Sequence, residues 1–99
     1  MANIDYAVNA QDYAVVLTNP DEEYSQELPA NTKAIEFRSR NGAVVRHSFT
    51  QGLVAGPTGA YQTLKANTEY EKEHLNLNKH TIYFASGAGG DTVELRVWA

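Results

Sequence analysis

Apolar residues in this chain recur at every second position, in runs too short for a helix, and Gly, Pro or Asn ends nearly every run. Alternate residues of a strand point to opposite faces, so period 2 commits the chain to half-buried β-strands rather than amphipathic helices. Tyr13 to Thr18 is the first clear strand, stopped by Asn19-Pro20, because proline cannot donate to a ladder and Asn starts turns readily. Ala34 to Ser39 alternates Ile35 and Phe37 with Glu36 and Arg38. Val44 to Phe49, Tyr61 to Leu64, His80 to Ser86 and Thr92 to Trp98 follow. Glu69 to Leu75 sets Glu69, Glu71 and Glu73 against Tyr70, Lys72 and His74, and is read as a strand in preference to a short helix. The expected fold is all-β, a small β-sandwich or jelly roll of about eight strands, with a partly open barrel as the competing closure. Residues 13–99 form its single domain and residues 1–12 an extended N-terminal arm carrying Ile4, Tyr6 and Val8.

Two turn signals stand out. Asn41-Gly42 favours a type I′ hairpin, which would pair Ala34–Ser39 with Val44–Phe49. Leu28-Pro-Ala-Asn-Thr-Lys33 is echoed 36 residues later by Leu64-Lys-Ala-Asn-Thr-Glu69. In both, Leu ends a strand and Ala-Asn-Thr turns the chain, so reuse of one turn chemistry explains the echo better than a true repeat does. Gly52 to Gly59 reads as a loop over Leu53 and Val54, and Gly87 to Asp91 as a flexible turn.

A chain of 99 residues without cysteine holds one core by packing alone. No stretch approaches the length of a membrane span, and no basic, then apolar leader opens the chain, so synthesis in a cytoplasm is the expectation and no membrane partner is foreseen. The net charge of −4 argues against a grip on nucleic acid. Charge is segregated. Residues 1–32 hold six acids and no Lys or Arg, whereas residues 33–65 hold Lys33, Arg38, Arg40, Arg46 and Lys65 against Glu36. Neutralisation within the fold is the simple reading, and pairing between neighbouring subunits the sharper one.

Catalytic signals are thin. His47 and Ser48 are strand neighbours that point apart, which leaves an exposed histidine beside a polar residue. His74 and His80, with Glu73, match no zinc spacing. Asp21 to Glu23 lacks the ligand alternation of a calcium loop. Gly87-Ala-Gly-Gly has neither the helix nor the Lys-Ser/Thr pair of a phosphate cradle. No catalytic, cofactor or metal residue is assigned, and the chain is expected not to be an enzyme. Tyr6, Tyr13, Tyr24, Tyr61, Tyr70 and Tyr83 suit sugar stacking or interface burial, though several are expected to pack within the sandwich. Trp98 has opposite parity to Val93, Leu95 and Val97, so it points outward and calls for a cover.

Leu75-Asn-Leu, Thr81-Ile-Tyr-Phe-Ala-Ser, the Gly-rich turn and Thr92-Val-Glu-Leu-Arg-Val-Trp, together with Leu28 to Arg40, resemble small β-sandwich structural proteins of tailed bacteriophages, including capsid decoration or cement proteins. The resemblance implies a non-enzymatic virion component that forms a homo-oligomer, a trimer being the state considered, and binds the major capsid protein or another virion protein. The interface residues expected on that reading are Ile4, Tyr6, Val8, Arg38, Arg40, Arg46 and Trp98. The alternative is a carbohydrate-binding module of a tail or fibre that uses exposed tyrosines and Trp98. A small enzyme of cupin type is disfavoured, because the two-histidine-plus-glutamate pattern of that fold is missing.

Overall fold

In a computed structural model, which describes residues 9–56, 59–73, 75 and 80–99, the seven alternating runs become strands and an eighth, β2, leads into Leu28: β1 (Ala10–Leu17), β2 (Tyr24–Glu27), β3 (Ala34–Ser39), β4 (Val45–Ser48), β5 (Gln62–Leu64), β6 (Glu69–Lys72), β7 (Thr81–Ser86) and β8 (Asp91–Trp98). The described residues contain no helix. Ile4, Tyr6 and Val8 lie outside them. Residues 10–12, counted above with the arm, belong to β1, and Asn9 already exchanges both backbone hydrogen bonds with Ala99 at 2.9 Å.

The strands form two antiparallel four-stranded sheets, sheet A in the order β1-β8-β3-β6 and sheet B in the order β2-β7-β4-β5. The ladders are nested. Ala10 faces Trp98, Tyr24 faces Phe84, Ile35 faces Lys72 and Val45 faces Leu64, so the chain doubles back on itself around the buried Val54. That long hairpin is wrapped so that β8 also pairs with β3 and β7 with β4, which is the jelly-roll order.

The expected β3–β4 hairpin does not form, because the two strands lie in different sheets. Asn41 keeps an ordinary negative φ and only Gly42 is left-handed, at φ 74°, so the turn is not type I′. The buried Asp91 organises this corner instead. Ser39 Oγ lies 2.8 and 2.7 Å from its two carboxylate oxygens and accepts a hydrogen bond from Ala43 N–H at 2.9 Å. Asp91, placed by the sequence in a flexible turn, thereby ties the end of β3 to the start of β8. Buried polar groups need such partners.

The two Ala-Asn-Thr turns have one geometry. Asn31 and Asn67 are left-handed at φ 61° and 59°. Thr32 Oγ1 donates to Pro29 O at 2.7 Å, and Thr68 Oγ1 donates to Lys65 O at 2.6 Å. Each turn carries the chain from sheet B to sheet A, β2 to β3 and β5 to β6, and the two strands they launch pair with each other.

Between the sheets lie Val15, Leu17, Leu28, Ile35, Phe37, Val45, Leu64, Ile82, Phe84, Val93, Leu95 and Val97, with Tyr13, Tyr24 and Tyr70 packed against them. At the centre, Phe37 meets Phe84 edge-on at 5.1 Å and stacks on Tyr70 at 4.9 Å. Such ring pairs add stability beyond the area they bury.

Candidate functional site: the outer face of sheet A

Parity turns Asp12, Glu36, Arg38, Glu69, Glu71, Glu94 and Arg96 to the outer side of sheet A, and antiparallel register sorts them into rows. Asp12, Arg96, Glu36 and Glu71 form one row, and Ala14, Glu94, Arg38 and Glu69 the next. Opposite charges therefore meet across β1, β8 and β3, the arrangement that stabilises neighbouring positions on a pleated face, whereas Glu36 faces Glu71 on β6. Arg96 Nε donates to Asp12 Oδ1 at 2.6 Å, and its Nη2 to Oδ2 at 3.3 Å. Arg38 and Arg40 both reach Glu94, at 3.1 and 3.0 Å, one to each carboxylate oxygen. These donated hydrogen bonds hold the Asp12 and Glu94 carboxyls below their ordinary pKa values. Glu36 moves the other way. Partial burial raises its pKa first, then a hydrogen bond with Glu71 and the charges of Glu69 and Glu71, with Arg96 opposing. Acid accumulates toward β6.

This face is concave, a depression of ≈ 390 Å³ lined among others by Asp12, Glu36, Arg38, Arg40, Glu94 and Arg96. The two rings that border it offer little surface, since Phe37 is buried and Tyr13 half-buried. Trp98 stands at one end of the same outer face. It is half-buried, and its cross-strand neighbour Ala34 is fully buried.

The sequence-selected residues thus divide. Arg38, Arg40 and Trp98 share the outer face of sheet A. Arg46 does not join them: it lies on sheet B, where its Nη2 donates to Asp21 at 2.6 Å and its guanidinium sits 5.7 Å from the centre of the Tyr61 ring. Its Nε is buried without a hydrogen-bond partner. Among the described residues, the acidic N-terminal section and the basic middle form an ion pair only there; Arg38 and Arg40 find Glu94, and Asp12 finds Arg96, both on β8. Beside Arg46, the outer side of sheet B carries Ser25, Tyr83 and Ser48 in one uncharged row.

His47 is a correction. It is 7% exposed rather than solvated, because Val45 and His47, not Val44 and Arg46, take the inward parity of β4. The imidazole lies edge-on to Phe37 at 4.8 Å and 5.1 Å from Tyr70, and burial pushes its pKa down to about 4. It is neutral at pH 7. Phe49, beyond the end of β4, is exposed instead, with His80 edge-on to it at 6.0 Å. His74 lies outside the described residues. Among the described residues no three His, Asp or Glu side chains gather to hold a metal ion. Glu94 and Asp91 were not singled out from sequence, and only their strand parity could have flagged them.

Comparisons of the chain with protein-family models, with curated proteins and with solved structures find no match.

Proposed function

We propose that this chain is a non-enzymatic structural component of a tailed-phage virion, a capsid decoration or cement subunit that self-associates and rests on the major capsid protein through the outer face of sheet A. The observation that carries the reading is the charge array on that face: an open, concave surface whose arginines and carboxylates already neutralise one another across strands. An array of this kind suits a protein partner, because exposed pairs worth little in the free chain can exchange partners across an interface and set its register. The resemblance of Leu28 to Arg40 and of the closing strands to phage structural proteins supports the same assignment, as does a jelly roll, a fold that recurs in capsid proteins.

Co-sedimentation with purified capsids lacking the protein tests it. Stoichiometric, salt-sensitive binding is expected, with Arg38→Glu weakening it at least tenfold while the circular dichroism of the free chain stays unchanged. Absence of binding would overturn the reading. Deleting residues 2–8, which stops short of the Asn9–Ala99 hydrogen bonds, tests the arm separately: loss of attachment supports an arm that grips the shell, and full retention removes it from the interface.

A further inference from the structure

A sandwich of two open sheets has four edges, and proteins blunt exposed edges by making them short or charged. Three edges here follow that rule. β2 has four residues and β5 three, and β6 carries Glu69 and Glu71. β1 does not follow it. It runs for eight residues without proline or lysine, and its single charge, Asp12, is already paired with Arg96.

The two Asn9–Ala99 hydrogen bonds mark Asn9 and Ala99 as a hydrogen-bonded pair. Along antiparallel strands such pairs alternate, so Gln11, Tyr13, Val15 and Leu17 bond to β8 while the backbone N–H and C=O of Ala10, Asp12, Ala14 and Val16 point away from it. All four residues are exposed, and Val16, at 55%, is among the most exposed large apolar side chains of the described residues.

We infer that the free edge of β1 pairs antiparallel with β1 of a second copy of this chain, joining two A sheets into one eight-stranded sheet around a two-fold axis at Tyr13. The register follows from the residues. Only pairing centred on Tyr13 uses all four outward-pointing residues, with Ala10 opposite Val16 and Asp12 opposite Ala14. It sets no like charges against each other, covers both Val16 side chains, and brings Tyr13 against its symmetry mate, a favourable cross-strand aromatic pair. Centring on Asp12 would oppose two carboxylates. Pairing β1 with β6 of another copy would lay Asp12 along Glu69 and Glu71, which disfavours open chains and rings in favour of a closed pair. Both backbone groups of Asn9 are committed to Ala99, so among the described residues the unpaired edge of β1 starts at Ala10. The pairing rests on the self-association proposed above and gives it a geometry, and because its test uses the isolated chain it can fail while capsid binding stands.

Light scattering across a concentration series should give twice the 10.9 kDa chain mass for the full chain. Ala14→Pro removes an N–H that points to the free edge and leaves the β1–β8 bonds intact. It should halve the mass while the far-ultraviolet spectrum remains that of a β-protein. If that variant unfolds, Ala14→Glu, which keeps the backbone and sets a carboxylate opposite Asp12 of the second copy, serves in its place with the same expected result. Because the chain has no cysteine, one introduced thiol reports the register. Tyr13→Cys should oxidise to a covalent dimer, since non-hydrogen-bonded neighbours lie at disulfide distance, and Asp12→Cys should not. A monomer or a trimer at all concentrations, a dimer that survives both Ala14 variants, or cross-linking through Asp12→Cys instead would overturn the inference.

Discussion

The turns Leu28–Thr32 and Leu64–Thr68 share a conformation, a left-handed asparagine and a threonine hydroxyl returned to the carbonyl three residues back, yet they sit in different surroundings. Thr32 is fully buried, whereas Thr68 is exposed. Asn31 stands in the open; Asn67 donates its backbone N–H to Gly42 O at 3.2 Å, and its side-chain oxygen occupies the space a Cβ on Gly42 would need. One local chemistry thus carries two tertiary weights. The contrast teaches that a turn motif dictates the path of the chain, while what the turn contributes to stability is decided by what packs on it.

The largest expected effect lies where the two turns converge. The strands they launch bring Phe37 and Tyr70 together over His47, whose pKa falls from the ordinary 6.5 to about 4. In that window the unfolded chain binds a proton that the folded chain refuses, so stability falls as the pH drops from about 6.5 and the loss is complete below about 4. Its size is about 2 kcal/mol after allowance for the ring's residual access to solvent. Urea unfolding at several pH values should show this loss, and His47→Phe should remove it; equal acid sensitivity in both proteins would show that the converging rings do not exclude charge.

Gly42→Ala comes next, at about 1–2 kcal/mol, from its positive φ and the collision with Asn67. Combined with Asn67→Gly the loss should shrink, whereas combined with Asn31→Gly it should simply add, as distant sites do. Equal coupling to both asparagines would erase the proposed asymmetry. The smallest effects compare the threonines themselves. Thr32→Val should cost about 1–1.5 kcal/mol by stranding a part-buried carbonyl, and Thr68→Val less than about 0.5, because water replaces its hydroxyl. Thermal melts of the two variants measure the difference.

Much of this was legible in the residues. The limits of β3 follow from the alternation of Ile35 and Phe37 with Glu36 and Arg38, and the outward parity of Trp98 from its place after Val97. The alternation over Glu69 to Leu75 predicts a strand, and β6 forms over Glu69–Lys72. The partner of β3 is not legible in the residues, because Asn41-Gly42 is compatible with a hairpin and nothing local reveals that Ser39 will bind Asp91 across 52 positions. The candidate site was half visible: Arg38 and Arg40 were selected, but their shared acceptor Glu94 lies on the far side of the chain.

The sequence by itself determined where most strands run, which side chains share a face within each of them, and how the two Ala-Asn-Thr turns bend, because these depend on backbone sterics and hydrogen bonds a few residues long. Tertiary structure decided which strands are neighbours, that Val45 and His47 rather than Val44 and Arg46 face inward, which arginine meets which carboxylate, and which edge stays open. Those outcomes come from ladders closed between residues as distant as Ala10 and Trp98. Period 2 is the same on either face of a strand, so only packing against the second sheet chooses between them.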